Sequence, residues 1–204
     1  MNAVMDRQDA LDDFVERFVL FQWVLDLPNI EAEYIRRQAE IDAAFLASFD
    51  EACRQAVRHQ QEGRKGEAAY LYISLLRTQV MEWKAGYRIE VYDGNWFMDR
   101  EDCSTIWEAD FIFQPLFDRM EGLKEQLGQY ARKVTVMDIE QLMQLELVSY
   151  HAWAVELLKE MVPRLLPSSE WYNRMERSHA FKILAGEYRD ACELVYDAQG
   201  ADEA

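Results

Sequence analysis

A chain of 204 residues, half of them hydrophobic and including 10 Phe, 10 Tyr and 6 Trp, is long enough to bury a substantial core within a single domain. With 38 acidic against 22 basic residues the net charge is −16, which disfavours nucleic acid and anionic membrane surfaces as partners, since both need clustered Lys and Arg. Eight Gly and four Pro are too few for an all-β design, and no apolar run is long enough to cross a bilayer. The opening MNAVMDRQDALDD is polar and acidic where an export signal would be basic and then apolar, so the expected setting is the cytoplasm. Three widely spaced cysteines, Cys53, Cys103 and Cys192, fit free thiols in a reducing compartment and are read as small core residues.

In chain order, Asp9 is the expected N-cap of a first helix. Leu11, Phe14, Val15, Phe18, Val19, Gln22 and Leu25 follow at helical spacing, and Leu27-Pro28 ends it. Asn29 opens a second helix to about His59, with Ile41, Phe45 and Phe49 four residues apart, and Gln60–Gly66 is a polar loop. The stretch Ala68–Asp99 is the one around which the rest is organised, and its first half, Ala68–Met81, is apolar at nearly every position (Tyr70, Leu71, Tyr72, Ile73, Leu75, Leu76, Val80, Met81), the mark of a buried helix. From Tyr87 the pattern alternates, and Asp93-Gly94 suits a two-residue hairpin turn. That turn would pair Val91 with Trp96 and Ile89 with Met98, gathering those four on one buried face. Arg88, Glu90, Tyr92, Phe97 and Asp99 would lie on the other.

Beyond the hairpin, Asp99 is the expected N-cap of a helix through Trp107, and Pro115 is expected to kink or break the apolar run Phe111–Phe117. Thr135 opens a long helix in which Met143, Leu147, Tyr150, Ala154, Leu157 and Met161 form a heptad seam, closed by Pro163 and Pro167. Ser168 or Ser169 caps a last helix carrying Phe181, Leu184, Tyr188, Ala191 and Val195. The expectation is a mainly α, single-domain bundle of six or seven helices over residues 1–198, with one short β-hairpin at about residues 87–99 and a frayed tail at 199–204. The runs YLYISLLRT and YRIEVYDGNWFMD resemble those of an uncharacterised group of helical bacterial proteins of about this length. The resemblance implies a bacterial cytoplasmic setting and brings no assigned activity.

Chemistry is thinly signalled. Glu176–His179 is an ExxH, but a dinuclear carboxylate centre needs a second such unit and two further inward glutamates, and no second ExxH occurs. No metal or cofactor is therefore expected. His151 and His179 read as helix-edge residues and His59 as solvated. There is no nucleophile elbow, Walker loop, HExxH or CxxC, so no catalytic residue is assigned. Arg77 interrupts an apolar run and must find a carboxylate if buried, with Glu90 or an acid of another helix as the candidates, or else lie at the base of a pocket. Arg88, Tyr92, Asn95 and Phe97 form a candidate binding surface, aromatic and flanked by charge. The leading expectation is a non-enzymatic protein-binding module with an acidic surface, either an immunity or inhibitor protein for a basic partner or an assembly adaptor that self-associates. The alternative is an enzyme with an unrecognised carboxylate or Arg77 pocket.

Overall fold

The computed structural model describes residues 5–188 and 190–202. The protein is mainly α-helical, with seven helices among the described residues: α1 (Arg7–Phe18), α2 (Trp23–Gln61), α3 (Arg77–Met81), α4 (Asp110–Gln126), α5 (Val136–Leu165), α6 (Glu170–Arg174) and α7 (Ala198–Asp202). In place of one hairpin it has a five-stranded mixed sheet: β1 (Ala68–Leu75), β2 (Gly86–Asp93), β3 (Ser104–Glu108), β4 (Arg177–Glu187) and β5 (Cys192–Asp197). The chain divides into two compact units, Met1–Arg36 with Asp110–Tyr150, and Arg37–Ala109 with His151–Ala204.

The first unit is helical. α1 is capped by Asp6, three residues earlier than expected: its side chain accepts the Asp9 amide while the Asp9 carboxylate accepts the Asp6 amide, a reciprocal capping box. Phe14 packs on Phe18 and edge-on to Tyr130. α1 stops at Phe18, and α2 runs through Pro28 instead of starting after it. Pro28, the sixth residue of α2, lacks the N–H of one intrahelical bond, but the break in helical geometry falls at Arg37, with φ −111° and ψ 17°. Pro115 likewise sits inside a continuous α4. α5 starts as the sequence indicates. Thr135 and Asp138 exchange backbone and side-chain hydrogen bonds across its first turn; of the seam, Met143, Leu147 and Tyr150 are buried in this unit, and Ala154, Leu157 and Met161 are buried residues of the second. The polar centre of this unit is Arg119, which bonds to Asp26, to Glu146 at 3.3 Å and to the Tyr150 hydroxyl, while that hydroxyl also donates to Asp26.

Between α1 and α2 the chain turns through Phe21, at φ +60°. A side chain with a Cβ is strained there and a glycine is not. Phe21→Gly is therefore expected to raise stability by about 0.5–1 kcal/mol, read as a higher urea midpoint, whereas Phe21→Ala, which keeps the Cβ, should bring no gain.

The second unit is built on the sheet, in the order β3-β2-β1-β4-β5, parallel only between β1 and β4. One face carries Trp107, Tyr87, Ile89, Val91, Leu71, Ile73, Leu75, Ile183 and Ala185, all buried. Residues of α2 beyond the break cover it, with Phe45 edge-on to Trp107 at 5.1 Å, as does His151 of α5, whose Nδ1 lies 2.9 Å from the Tyr87 hydroxyl. The outer edge of β3 is occupied: Gln55 bonds both backbone groups of Ser104, and the Ser48 hydroxyl donates to the Ile106 carbonyl.

Several sequence expectations are corrected here. Ala68–Leu75 is a central strand, not a helix, and only Arg77–Met81 is helical. The hairpin at 87–99 does not form, because the chain after Asp93-Gly94 coils into a 3-10 turn (Trp96–Met98) while β2 pairs with β1 and β3. Ile89 and Val91 are buried as expected, but Met98 is 83% exposed. The helix expected after Asp99 is β3, and the last helix is the antiparallel pair β4–β5 preceded by the short α6, which Ser169 caps. Finally, α7 occupies part of the stretch read as a frayed tail; residues 203–204 lie outside those described.

Two of the three cysteines are core residues, and Cys192 is exposed. Burial pushes the Cys103 thiol up to about 11 and that of Cys53 well above the ordinary range. One thiol of three should thus react rapidly with a disulfide reagent at about pH 8, and all three after denaturation. Rapid reaction of a second thiol in the native protein would contradict this packing.

Candidate functional site

Strand alternation puts Arg88, Glu90 and Tyr92 on the sheet face turned away from Tyr87, Ile89 and Val91. On that face their cross-strand neighbours are Ser74, Tyr72 and Tyr70 of β1, and Ile106 and Ser104 of β3. The centre of this face is covered by the segment after β2. Phe97 packs edge-on to Tyr92 at 5.3 Å and Tyr72 at 6.0 Å, and Trp96 lies against Tyr70. With Leu184 they form a small aromatic core. Tyr92 is therefore buried and Phe97 half-buried, so they are not the open aromatic patch expected from the sequence. Asn95 is exposed in the turn, its amide and side chain bonded to Asp93 at 2.8 and 3.2 Å.

What remains open lies around this core. A cleft of about 220 Å³ is lined by Arg88, Glu90, Tyr92, Phe97, Asp102 and Tyr188 among others. Arg88 Nη2 stands 2.9 Å from Glu90 and 3.3 Å from Asp102, with the Tyr188 ring 6.0 Å from its Cζ. Burial raises the Glu90 carboxyl against the opposing pull of Arg88, and burial beside Glu90 pushes the Tyr92 phenol far up. At the two margins of the same face, Ile106 on β3 is 39% exposed and Leu194 on β5 is 47% exposed. The face thus combines a charged triad, in which Glu90 is buried, Arg88 half-buried and Asp102 exposed, with apolar flanks.

The segment over this face is pinned from below. Lys65, just past α2, is buried and bonds to Asp99, which is buried too and also accepts the Asp93 and Glu101 amides. Burial opposes ionisation of Asp99, but Lys65 and the two amides outweigh it and hold the carboxyl below its ordinary value. His59, largely buried rather than solvated, lies 3.2 Å from Glu101 and 3.7 Å from the Cys103 sulfur.

The structure brings Arg88, Tyr92 and Phe97 to one cleft and leaves Asn95 outside its lining. Arg77 is elsewhere: its Nε donates to Glu187 at 2.6 Å, not to Glu90, beside a cleft of about 200 Å³ at the end of the sheet. Asp102 and Tyr188 were missed in the sequence; neither shares a local pattern with Arg88, and only the tertiary fold brings them to it. Of the histidines, His179 bonds to the Gln199 side chain, and among the described residues no group of three or more His, Cys, Asp or Glu is placed to hold a metal ion. No described helix is long and apolar enough to cross a membrane. No family model, curated protein or solved structure matches this chain.

Proposed function

We propose that this protein is a protein-binding module that engages its partner through the open face of the sheet, around Arg88, Glu90, Asp102 and Tyr188. One observation carries the reading: large apolar side chains, Ile106 and Leu194, are exposed on the two margins of a face that also carries a charged cluster at β2, beside its aromatic centre. Apolar contact area interleaved with fixed charge is the usual composition of a recognition surface. The cleft itself is small for a metabolite site, which argues for a surface contact over an enclosed ligand.

A net charge of −16 favours a basic partner, with fast, salt-sensitive association, as an immunity or inhibitor protein would require. An adaptor that self-associates through the heptad seam is less well supported, because that seam is buried in the chain's own fold. The alternative of an enzyme built on Arg77 is weaker too, since the guanidinium is committed to Glu187 at the wall of a shallow cleft.

Affinity capture from the source cell tests the reading with the wild type and the surface variant Ile106→Lys/Leu194→Lys. The expected result is a basic protein enriched by the wild type, reduced by raised salt and lost with the variant. Undiminished capture by the variant, or no enrichment by the wild type, would count against it.

A further inference from the structure

The corner between α1 and α2 carries a second exposed apolar group that the sheet face does not explain. Phe21 is 67% and Leu25 66% exposed, with Leu20 and Val24 also open to solvent. Four large apolar side chains within six residues are open to solvent here, a local concentration where an ordinary surface scatters such residues singly. Phe21 is presented on backbone at φ +60°, a conformation that costs free energy for any residue with a Cβ and tends to persist where function requires it.

Beside this patch, within the same compact unit, Gln22, Leu25, Asp26, Pro115, Asp118 and Arg119 line a cleft of about 350 Å³. Its charge is unbalanced. The single cation, Arg119, is already shared between Asp26 and Glu146, and Asp118 is exposed with the Gln114 amide on its carboxylate. Burial raises both Asp26 and Glu146 despite the opposing pull of Arg119. A cation entering the cleft would relieve this excess while its apolar neighbours covered Phe21 and Leu25.

We infer that the α1–α2 corner is a docking site for a basic, apolar-faced segment of a protein partner, with a Lys or Arg seated over Asp26 and Asp118 and apolar residues on Leu20, Phe21, Val24 and Leu25. A second copy of this chain is the wrong occupant, because two bodies of charge −16 repel. The site is independent of the sheet face: no residue is shared and the two fail separately.

The probe is a synthetic amphipathic helix of leucine and arginine, with a glutamate-for-arginine peptide as control, titrated into the isotopically labelled full chain and followed by amide chemical shifts. The expected result is saturable binding of the basic peptide alone, with perturbations concentrated at residues 20–26 and 115–119. The variant Phe21→Gly/Leu25→Ser/Asp118→Asn changes exposed side chains and removes the backbone strain, and it should bind at least tenfold more weakly while keeping its folded spectrum. Ile106→Lys/Leu194→Lys should bind as well as wild type. The inference is overturned by no saturable binding, by perturbations spread over the acidic surface and unchanged in the variant, or by equal binding of the acidic peptide.

Discussion

Lys65→Met, with Asp99 left in place, is expected to destabilise the protein by about 3–5 kcal/mol, the range for stranding one member of a buried ion pair. Both side chains are almost wholly inaccessible to solvent. Without the ammonium, the Asp99 carboxylate keeps only the two backbone amides of Asp93 and Glu101. The double variant Lys65→Met/Asp99→Asn should recover part of the loss, with a coupling of about 1–3 kcal/mol in a double-mutant cycle by urea unfolding. The pH dependence carries a definite sign. The folded carboxyl of Asp99 titrates below its unfolded value, so its stabilisation is complete above the unfolded pKa and is lost as pH falls through the folded one. Because Asp99 anchors the segment that supports Phe97, hydrogen exchange of the Asp93–Cys103 amides should accelerate more than that of β1.

The second large effect is expected at Arg119. Arg119→Met leaves Asp26 and Glu146 half-buried without their shared cation and should cost about 2–3 kcal/mol near neutral pH, less than for a wholly buried pair because solvent screens them in part. Here the sign is opposite. Burial raises both carboxyls above their ordinary values, so the folded state binds their protons more tightly than the unfolded state does. Their contribution is favourable below the unfolded pKa and is lost as pH rises through the folded pKa. Removing Arg119 pushes both higher still. The penalty should therefore be largest at about pH 7–8 and shrink as pH falls toward the ordinary carboxylate range near pH 4. A penalty that does not change with pH would show that the guanidinium acts by packing alone.

The long helix α5 was legible because its signals are local. Thr135 and Asp138 cap it within one turn, and the seam from Met143 to Met161 needs only its own spacing to be read. The sheet was not legible for the same reason. β1 is a central strand buried on both faces over much of its length, so its side chains are apolar without alternation, and a short run of that kind cannot be told from a buried helix. Its parallel partner β4 lies more than one hundred residues away and leaves no mark near it. In β4, Phe181, Ile183 and Ala185 do alternate inward, but Phe181, Leu184 and Tyr188 also fit a helical stripe, so the local pattern admits both periods. The site was half readable. The shared face of Arg88, Glu90 and Tyr92 follows from β2 alternation alone, whereas Asp102, Tyr188 and the anchoring of Asp99 by Lys65 depend on tertiary contacts.

The most direct test of the sheet face as the binding surface is site-specific photo-cross-linking in the source cell. A photoreactive amino acid would replace Ile106, Leu194 or, as an exposed control on α2, Ile35. The account predicts that positions 106 and 194 capture the same basic protein and that position 35 does not. Different adducts from 106 and 194, or an equal yield from 35, would contradict it.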